Sequence, residues 1–320
     1  MNNFLKLLLI ILGVLVGGLW WFFGPVTNKS LPEVFVVPEK KEEFNVALKL
    51  KEQNLIRHAG AFHLLLNLSG KEKAFLSGGF RLNKNMNAWQ VLKKITSKPD
   101  LVWVVIPEGL RKEQVGEILA EALNWSDKER QLWNEVYTIS KDEYIEGVYF
   151  PDTYLIPLDE SGYEIAQRFI NHFNERFALY LDKFLQKNIR WTTGLKIASL
   201  IQREAAGPED MALISGIIWN RLEKGMKLEI DATLQYLRGK INSDWWGKVD
   251  IADKEVDSVY NTYKYKGLPP HPICSPGLAA IEAALNPQET DCLYYLHDQN
   301  RQIHCARTYE EHKENIRKFL

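Results

Sequence analysis

The feature that most limits what this chain can fold into is its beginning. From Leu7 to Val26 no residue carries a charge, and Leu, Ile, Val, Trp and Phe dominate. About 20 such residues are what a helix needs to cross the hydrocarbon core of a bilayer. Trp20, Trp21, Phe22 and Phe23 gather at the far end, where an interfacial aromatic belt belongs. A cleaved signal peptide is the rival reading, but its apolar region is usually shorter, and no small-x-small cleavage site follows here. The sequence therefore predicts an uncleaved transmembrane helix over residues 7–26. Lys6 and the α-amine precede it, so the positive-inside rule makes residues 1–6 a cytoplasmic stub and puts everything after Pro25 outside.

With 320 residues the chain can bury a sizeable core and is expected to hold two domains beyond the anchor. Its 40 basic and 41 acidic residues leave a net charge of −1, so no basic excess points to nucleic acid. Aromatic residues make up 12%, with ten Trp, a supply that suits sugar-stacking surfaces and cores alike. Cys274, Cys292 and Cys305 show neither CxxC spacing nor accompanying His clusters, so neither a metal nor another cofactor is expected. One disulfide plus a free thiol is possible, and the spacing does not decide it.

Residues 27–105 read as a linker and a small α+β module. Strand patterns lie at Glu33–Val37, Gly78–Leu82 and Leu101–Ile106, and helix patterns at Phe44–Gln53, Ala59–Leu66 and Asn87–Ile95. Residues 106–320 read as a larger mixed α/β domain. Helices are expected at Lys112–Leu123, Asp127–Val136 and Tyr163–Asn188, in the two segments 195–207 and 208–225, after Ser275-Pro276-Gly277, and from Tyr309 onward. Cys292–His297 and Gln302–Arg307 predict a hairpin. Met226–Thr233 alternates and predicts a strand with Asp231 and Thr233 on one side. Glu146–Tyr154 mixes aromatic rings with a Pro-Asp turn and a hydroxyl, which fits either a sugar site or a rigid loop whose tyrosines pack.

Within the central segments one carboxylate is out of place. Ile197, Leu200, Ile201 and Glu204 fall at i, i+3, i+4 and i+7, so Glu204 extends the apolar stripe while Lys196, Ser199 and Arg203 take the wet side. Gly207 and Pro208 put it near the helix end, where the negative end of the dipole disfavours ionisation; partial burial acts the same way. Both raise a carboxyl pKa, which a general acid near neutral pH requires. The plain alternative is a packed stem with its head in water.

Taken together, Glu146–Tyr154, the Glu204-to-Arg221 spacing, Leu228–Thr233, Tyr260–Tyr263 with Gly267–Pro270, Ser275–Gly277, and His304 with Glu311-His312 resemble the YceG-like (MltG) endolytic murein transglycosylases. The resemblance is strong over 102–320 and looser over 31–101, where this family carries a LysM-like module. It implies a lyase that cuts the β-1,4 bond between N-acetylmuramic acid and N-acetylglucosamine in peptidoglycan without water. The muramic acid is left with a 1,6-anhydro end, and such cuts limit the length of nascent glycan strands. It implies Glu204 as the catalytic acid, with Asn220, Asp231, Thr233, Tyr260 and Asn261 lining or bracing the cleft and Tyr149 and Tyr154 stacking or hydrogen-bonding sugars. The implied partners are glycan strands, the cytoplasmic membrane through the N-terminal helix, and a peptidoglycan synthase complex. The catalytic domain would lie on the extracytoplasmic side.

Three positions depart from the family pattern: Gln202 for an acid, Ala232 for a proline and His271 for a glycine. Two other readings compete. One is a non-catalytic glycan-binding or scaffold protein of the envelope synthesis machinery; the other is a hydrolase with Asp231 as second carboxylate. Asp231 could equally fix a loop by accepting N–H bonds, Tyr149 and Tyr154 could pack, and His304 and His312 read more readily as structural than as a base pair.

Overall fold

A computed structural model describes residues 3–40, 44–71, 74–139, 143 and 145–320. The apolar start forms one helix, α1 (Asn3–Phe23), and its residues 4–23 have a mean hydropathy of 2.2 and are 0% buried. That is compatible with a single-pass membrane anchor. Residues 3–6 of the expected stub are already helical, because nothing before Gly24 interrupts the ladder; residues 1 and 2 lie outside the described part.

The chain divides into two compact units, residues 1–104 with 153–160, and residues 105–152 with 161–320. The first is α+β, as expected. Its sheet has the order β1-β2-β3-β4, with β1 (Glu33–Val37), β2 (Gly78–Leu82), β3 (Leu101–Val105) and β4 (Thr153–Pro157). β1 and β2 run antiparallel with Phe35 opposite Phe80, and both rings are wholly buried. Three helices, α2 (Val46–Glu52), α3 (Ala59–Leu68) and α4 (Ala88–Ile95), add Leu50, Phe62, Val91 and Ile95 to that core. Asn87 starts α4 through a reciprocal capping box with Gln90, as its position just before the apolar period predicts. At Gly78, φ is +136° and an added Cβ would stand 2.5 Å from the Leu101 carbonyl oxygen, so only glycine fits.

Residues 153–160 correct the expectation that 106–320 stay together. In β4 the buried residues Tyr154 and Ile156 alternate with more exposed neighbours, and Leu158 N–H donates to the Asp100 carbonyl. Arg81 then grips Asp159 with two parallel bonds of 2.7 and 2.8 Å.

The second unit is mainly helical. α5 (Lys112–Leu123) and α6 (Asp127–Leu132) lead through a π turn at Trp133–Tyr137 to the long α7 (Gly162–Gln186). α8 (Trp191–Glu204), α9 (Met211–Glu223), α10 (Asp231–Arg238), the short α11 (Ile251–Lys254) and α12 (Leu278–Leu285) follow, then the antiparallel hairpin β5 (Tyr294–His297) and β6 (Ile303–Ala306), and α13 (Tyr309–Phe319). α8 is the centre: Leu195, Ile197, Ala198, Leu200 and Ile201 are buried among α7, α9, α10 and α12. Burying each large apolar side chain contributes about 1.5–3 kcal/mol. Gly194 lets Phe184 of α7 lie against α8, since a Cβ there would come within 2.3 Å of the ring.

The predicted strand at Met226–Thr233 is replaced by an irregular stretch ending at Ile230 and the helix α10. The alternation holds only while Leu228 and Ile230 point inward; from Asp231 on, a first-turn acid and good helix formers take over. Glu229 and Ile230 donate their N–H groups to Thr262 instead of to a neighbouring strand. Cys292 and Cys305 form a disulfide, and Cys274 is a buried thiol donating to the Ser199 carbonyl.

Candidate active site

Glu204 is the last residue of α8, half-buried, at the wall of a cavity of about 310 Å³. Asp210 fixes the chain directly after it by accepting the N–H groups of Ala206 and Gly207 at 2.9 and 3.2 Å. The Tyr295 hydroxyl donates to Glu204 Oε2 at 2.6 Å, and the Ala232 N–H at the start of α10 also points at the carboxylate. Two helix ends therefore meet there. The C-terminus of α8 disfavours the charge, and the N-terminus of α10, absent from the sequence reading, favours it. Burial decides the sign and raises the Glu204 pKa; Asp231 adds to the rise, while Tyr295, His297 and the Ala232 N–H oppose it. A protonated carboxyl facing a cavity can serve as a general acid.

α9 supplies the opposite anchor. Arg221 is buried and donates to the carbonyls of Leu293 at 2.5 Å and Leu228 at 2.6 Å, with its guanidinium 5.0 Å from the Tyr294 ring. It ties the 227–229 segment and β5 to one helix, so both cavity walls are held by a fork that needs no ligand. Glu229 adopts φ +53° at the rim, a left-handed conformation that non-glycine residues seldom take. Tyr263, Tyr294 and Tyr309 supply aromatic faces. His312 also lines the cavity, and burial, with Arg221 beside it, lowers its pKa.

Of the residues expected at the site, Glu204 and Asp231 line this cavity. Asp231 heads α10 and accepts from the Tyr263 hydroxyl at 2.6 Å. Thr233 is fully buried, with its hydroxyl on the Ile230 carbonyl at 2.7 Å and 3.0 Å from that of Thr262. Asn261 is also fully buried; its amide donates to the carbonyls of Lys254 and Val256 and accepts from Tyr263 N–H. Neither lines the cavity. Tyr260 is half-buried with its ring 5.2 Å from that of Tyr236 and does not line the cavity.

Asn220 faces elsewhere. Its amide donates to the carbonyls of Thr290 and Cys292, and it lines a separate depression of about 690 Å³. Tyr149 is wholly buried beside Trp133 and Phe169 with its hydroxyl on the Thr138 carbonyl, and Tyr154 is buried in the sheet of the first unit. Neither tyrosine has a ring face open to a sugar, which corrects the expectation that they stack on substrate. Gln202 accepts from Gly277 N–H at the start of α12, so it has a structural task. His304 pairs with Asp298 and stacks on Phe319.

Residues 35–318 match the model of the YceG-like family. The chain belongs to the YceG-like family. The endolytic murein transglycosylase of Bacillus subtilis (strain 168) is 29% identical, the match covering 96% of this chain and 91% of that protein. The protein of the same name from Streptococcus pneumoniae (strain R6) is 27% identical, covering 91% of this chain but only 59% of the pneumococcal one. A YceG-like crystal structure from Listeria monocytogenes superposes with a TM-score of 0.61 at 27% identity, covering 89% of this chain and 99% of that one.

Tyr294, Tyr295 and Tyr309 line the cavity without having been singled out in the sequence, while Arg221 and Tyr263 lie in motifs quoted there without a role of their own. Alternation in the predicted hairpin puts Tyr295 and His297 on one face, but nothing local says that this face meets Glu204.

Proposed function

We propose that this chain is a membrane-anchored peptidoglycan lytic transglycosylase in which Glu204 acts as both acid and base. What carries the reading is that Glu204 meets a cavity at a helix end, where burial raises its pKa in the direction a general acid needs. In this scheme the Glu204 proton passes to the oxygen linking the two sugars as the bond from that oxygen to C1 of the muramic acid breaks. The C6 hydroxyl oxygen of the same sugar bonds to C1, and its proton returns to the Glu204 carboxylate. No water is consumed, and the products are a free 4-hydroxyl and a 1,6-anhydro end. A single carboxyl group suffices, in contrast to the two of ordinary glycosidases.

The substrate is the glycan strand, cut internally. We assign the first unit as LysM-like, α1 as a single-pass anchor in the cytoplasmic membrane, and the second unit to the extracytoplasmic side, where a synthase complex would supply nascent strands. Glu204→Gln should lower the release of anhydro-muropeptides from sacculi by at least about a hundredfold with folding intact. Wild-type release by that variant would sink the assignment. Asp231 lines the same cavity, so mass spectrometry should also look for reducing ends, which a hydrolase with Asp231 as second carboxylate would leave.

A further inference from the structure

We propose that Tyr295 is a positioning residue for the acid: it occupies one carboxylate oxygen of Glu204, so that the other presents the proton to the cavity. The inference rests on Glu204 being the acid. Its basis is a clamp formed by the β5–β6 hairpin around the end of α8. Tyr295 donates to Glu204 Oε2 at 2.6 Å. Two residues on, on the same strand face, His297 Nε2 lies 2.7 Å from Asp210 Oδ2, and Asp210 in turn holds the N–H groups of Ala206 and Gly207. Arg301, in the turn joining β5 to β6, donates to the Ala206 carbonyl. The hairpin thus touches the carboxylate, the cap behind it and the backbone between them, and the Cys292–Cys305 disulfide closes its open end.

A phenol has one hydrogen to give. Burial first, and then the neighbouring Glu204, hold the Tyr295 phenol well above the usual tyrosine range, so at working pH it remains an O–H donor. With Oε2 accepting, neutral Glu204 carries its proton on Oε1; once that proton has left, the same bond steadies the new carboxylate. The other charged or titratable groups that face this carboxylate or its cavity include Asp231 on α10, His297 on β5, Arg203 beside it on α8, Tyr263, Glu229, Arg221 on α9 and His312 on α13. Among the described residues, none of these side chains donates a hydrogen bond to it as Tyr295 does.

The test is Tyr295→Phe, which keeps the ring and removes the donor. Activity requires protonated Glu204, so it falls as pH rises through that group's pKa. Losing a charge-assisted bond should move this alkaline limb upward by about one to two pH units and cut the plateau rate at least about tenfold, with KM little changed. A ring-fluorinated tyrosine at 295, a stronger donor in an unchanged fold, should move the limb the other way. Carbon NMR of the Glu204 carboxyl should follow both shifts without reference to turnover. Limbs and titrations that overlay wild type in both variants would reduce Tyr295 to packing. Glu204→Gln, run alongside, separates the two ideas: if it is inert while Tyr295→Phe shifts nothing, only the positioning role falls. If Glu204→Gln is active, the assignment of the acid falls.

Discussion

Glu146 shows how far a single side chain can depart from its ordinary chemistry. It is wholly buried, and its carboxyl accepts from the N–H of Lys112 and of Gly147 and from the Tyr236 hydroxyl. Burial, with Glu113 adding to it, pushes its pKa up to about 8 against the pull of Arg111 and the N–H donors. The folded protein then holds a proton that the unfolded chain releases near the ordinary carboxylate pKa. Its contribution is full below that value, shrinks by about 1.4 kcal/mol per pH unit as pH rises, and levels off above about 8. Melting temperatures should fall between about pH 5 and pH 8, and Glu146→Gln should flatten that slope; scanning calorimetry at several pH values checks both. Tyr149 makes a second case. Its hydroxyl donates to the buried Thr138 carbonyl, so Tyr149→Phe should cost about 1–3 kcal/mol in denaturant melts and leave the cleavage rate per folded molecule unchanged. A sugar-stacking role would predict a rise in KM instead.

Among elements, the β5–β6 hairpin has the largest consequence for its length. Two four-residue strands cannot hold themselves in water, and this pair is supported by Arg221 on the Leu293 carbonyl, by α13 packed against both strands, and by the disulfide. Cys292 and Cys305 are 13 residues apart, a loop whose closure stabilises the fold by about 3 kcal/mol in the chain-entropy account. Replacing both cysteines with serine should therefore lower stability by about 2–4 kcal/mol in chemical melts. It should also loosen Tyr295, seen as a lower rate with substrate affinity largely retained. α9 is constrained more sharply. A Cβ at Gly216 would lie 2.2 Å from the Gln288 carbonyl oxygen, which is backbone and cannot swing away. Gly216→Ala is expected to destabilise by about 1–3 kcal/mol despite alanine's better helix propensity, as a denaturant titration would show.

At the scale of the whole chain, the proposed division of labour is an anchor followed by two folded units. Removing residues 1–26 should shift the protein from the membrane fraction to the soluble one while soluble glycan strands are cut at an unchanged rate; loss of cutting would tie α1 to the site itself. The sequence alone determined the apolar helix α1, the Asn87 cap, the span of α5 and the placement of Glu204 on the inner stripe at the end of α8. Each of these is written in neighbours no more than a few turns apart, through side-chain periodicity and end-capping. Tertiary structure decided what those elements meet. The bond from Tyr295 to Glu204 spans 91 residues of sequence, and the one from Tyr236 to Glu146 spans 90. It also turned the 231–238 segment into a helix whose Ala232 N–H faces the acid, paired two of three cysteines, and closed Tyr149 and Tyr154 into cores. A local pattern encodes which way a side chain points from its own element; it holds no record of the distant surface packed against it, and that surface sets burial, hydrogen bonding and charge.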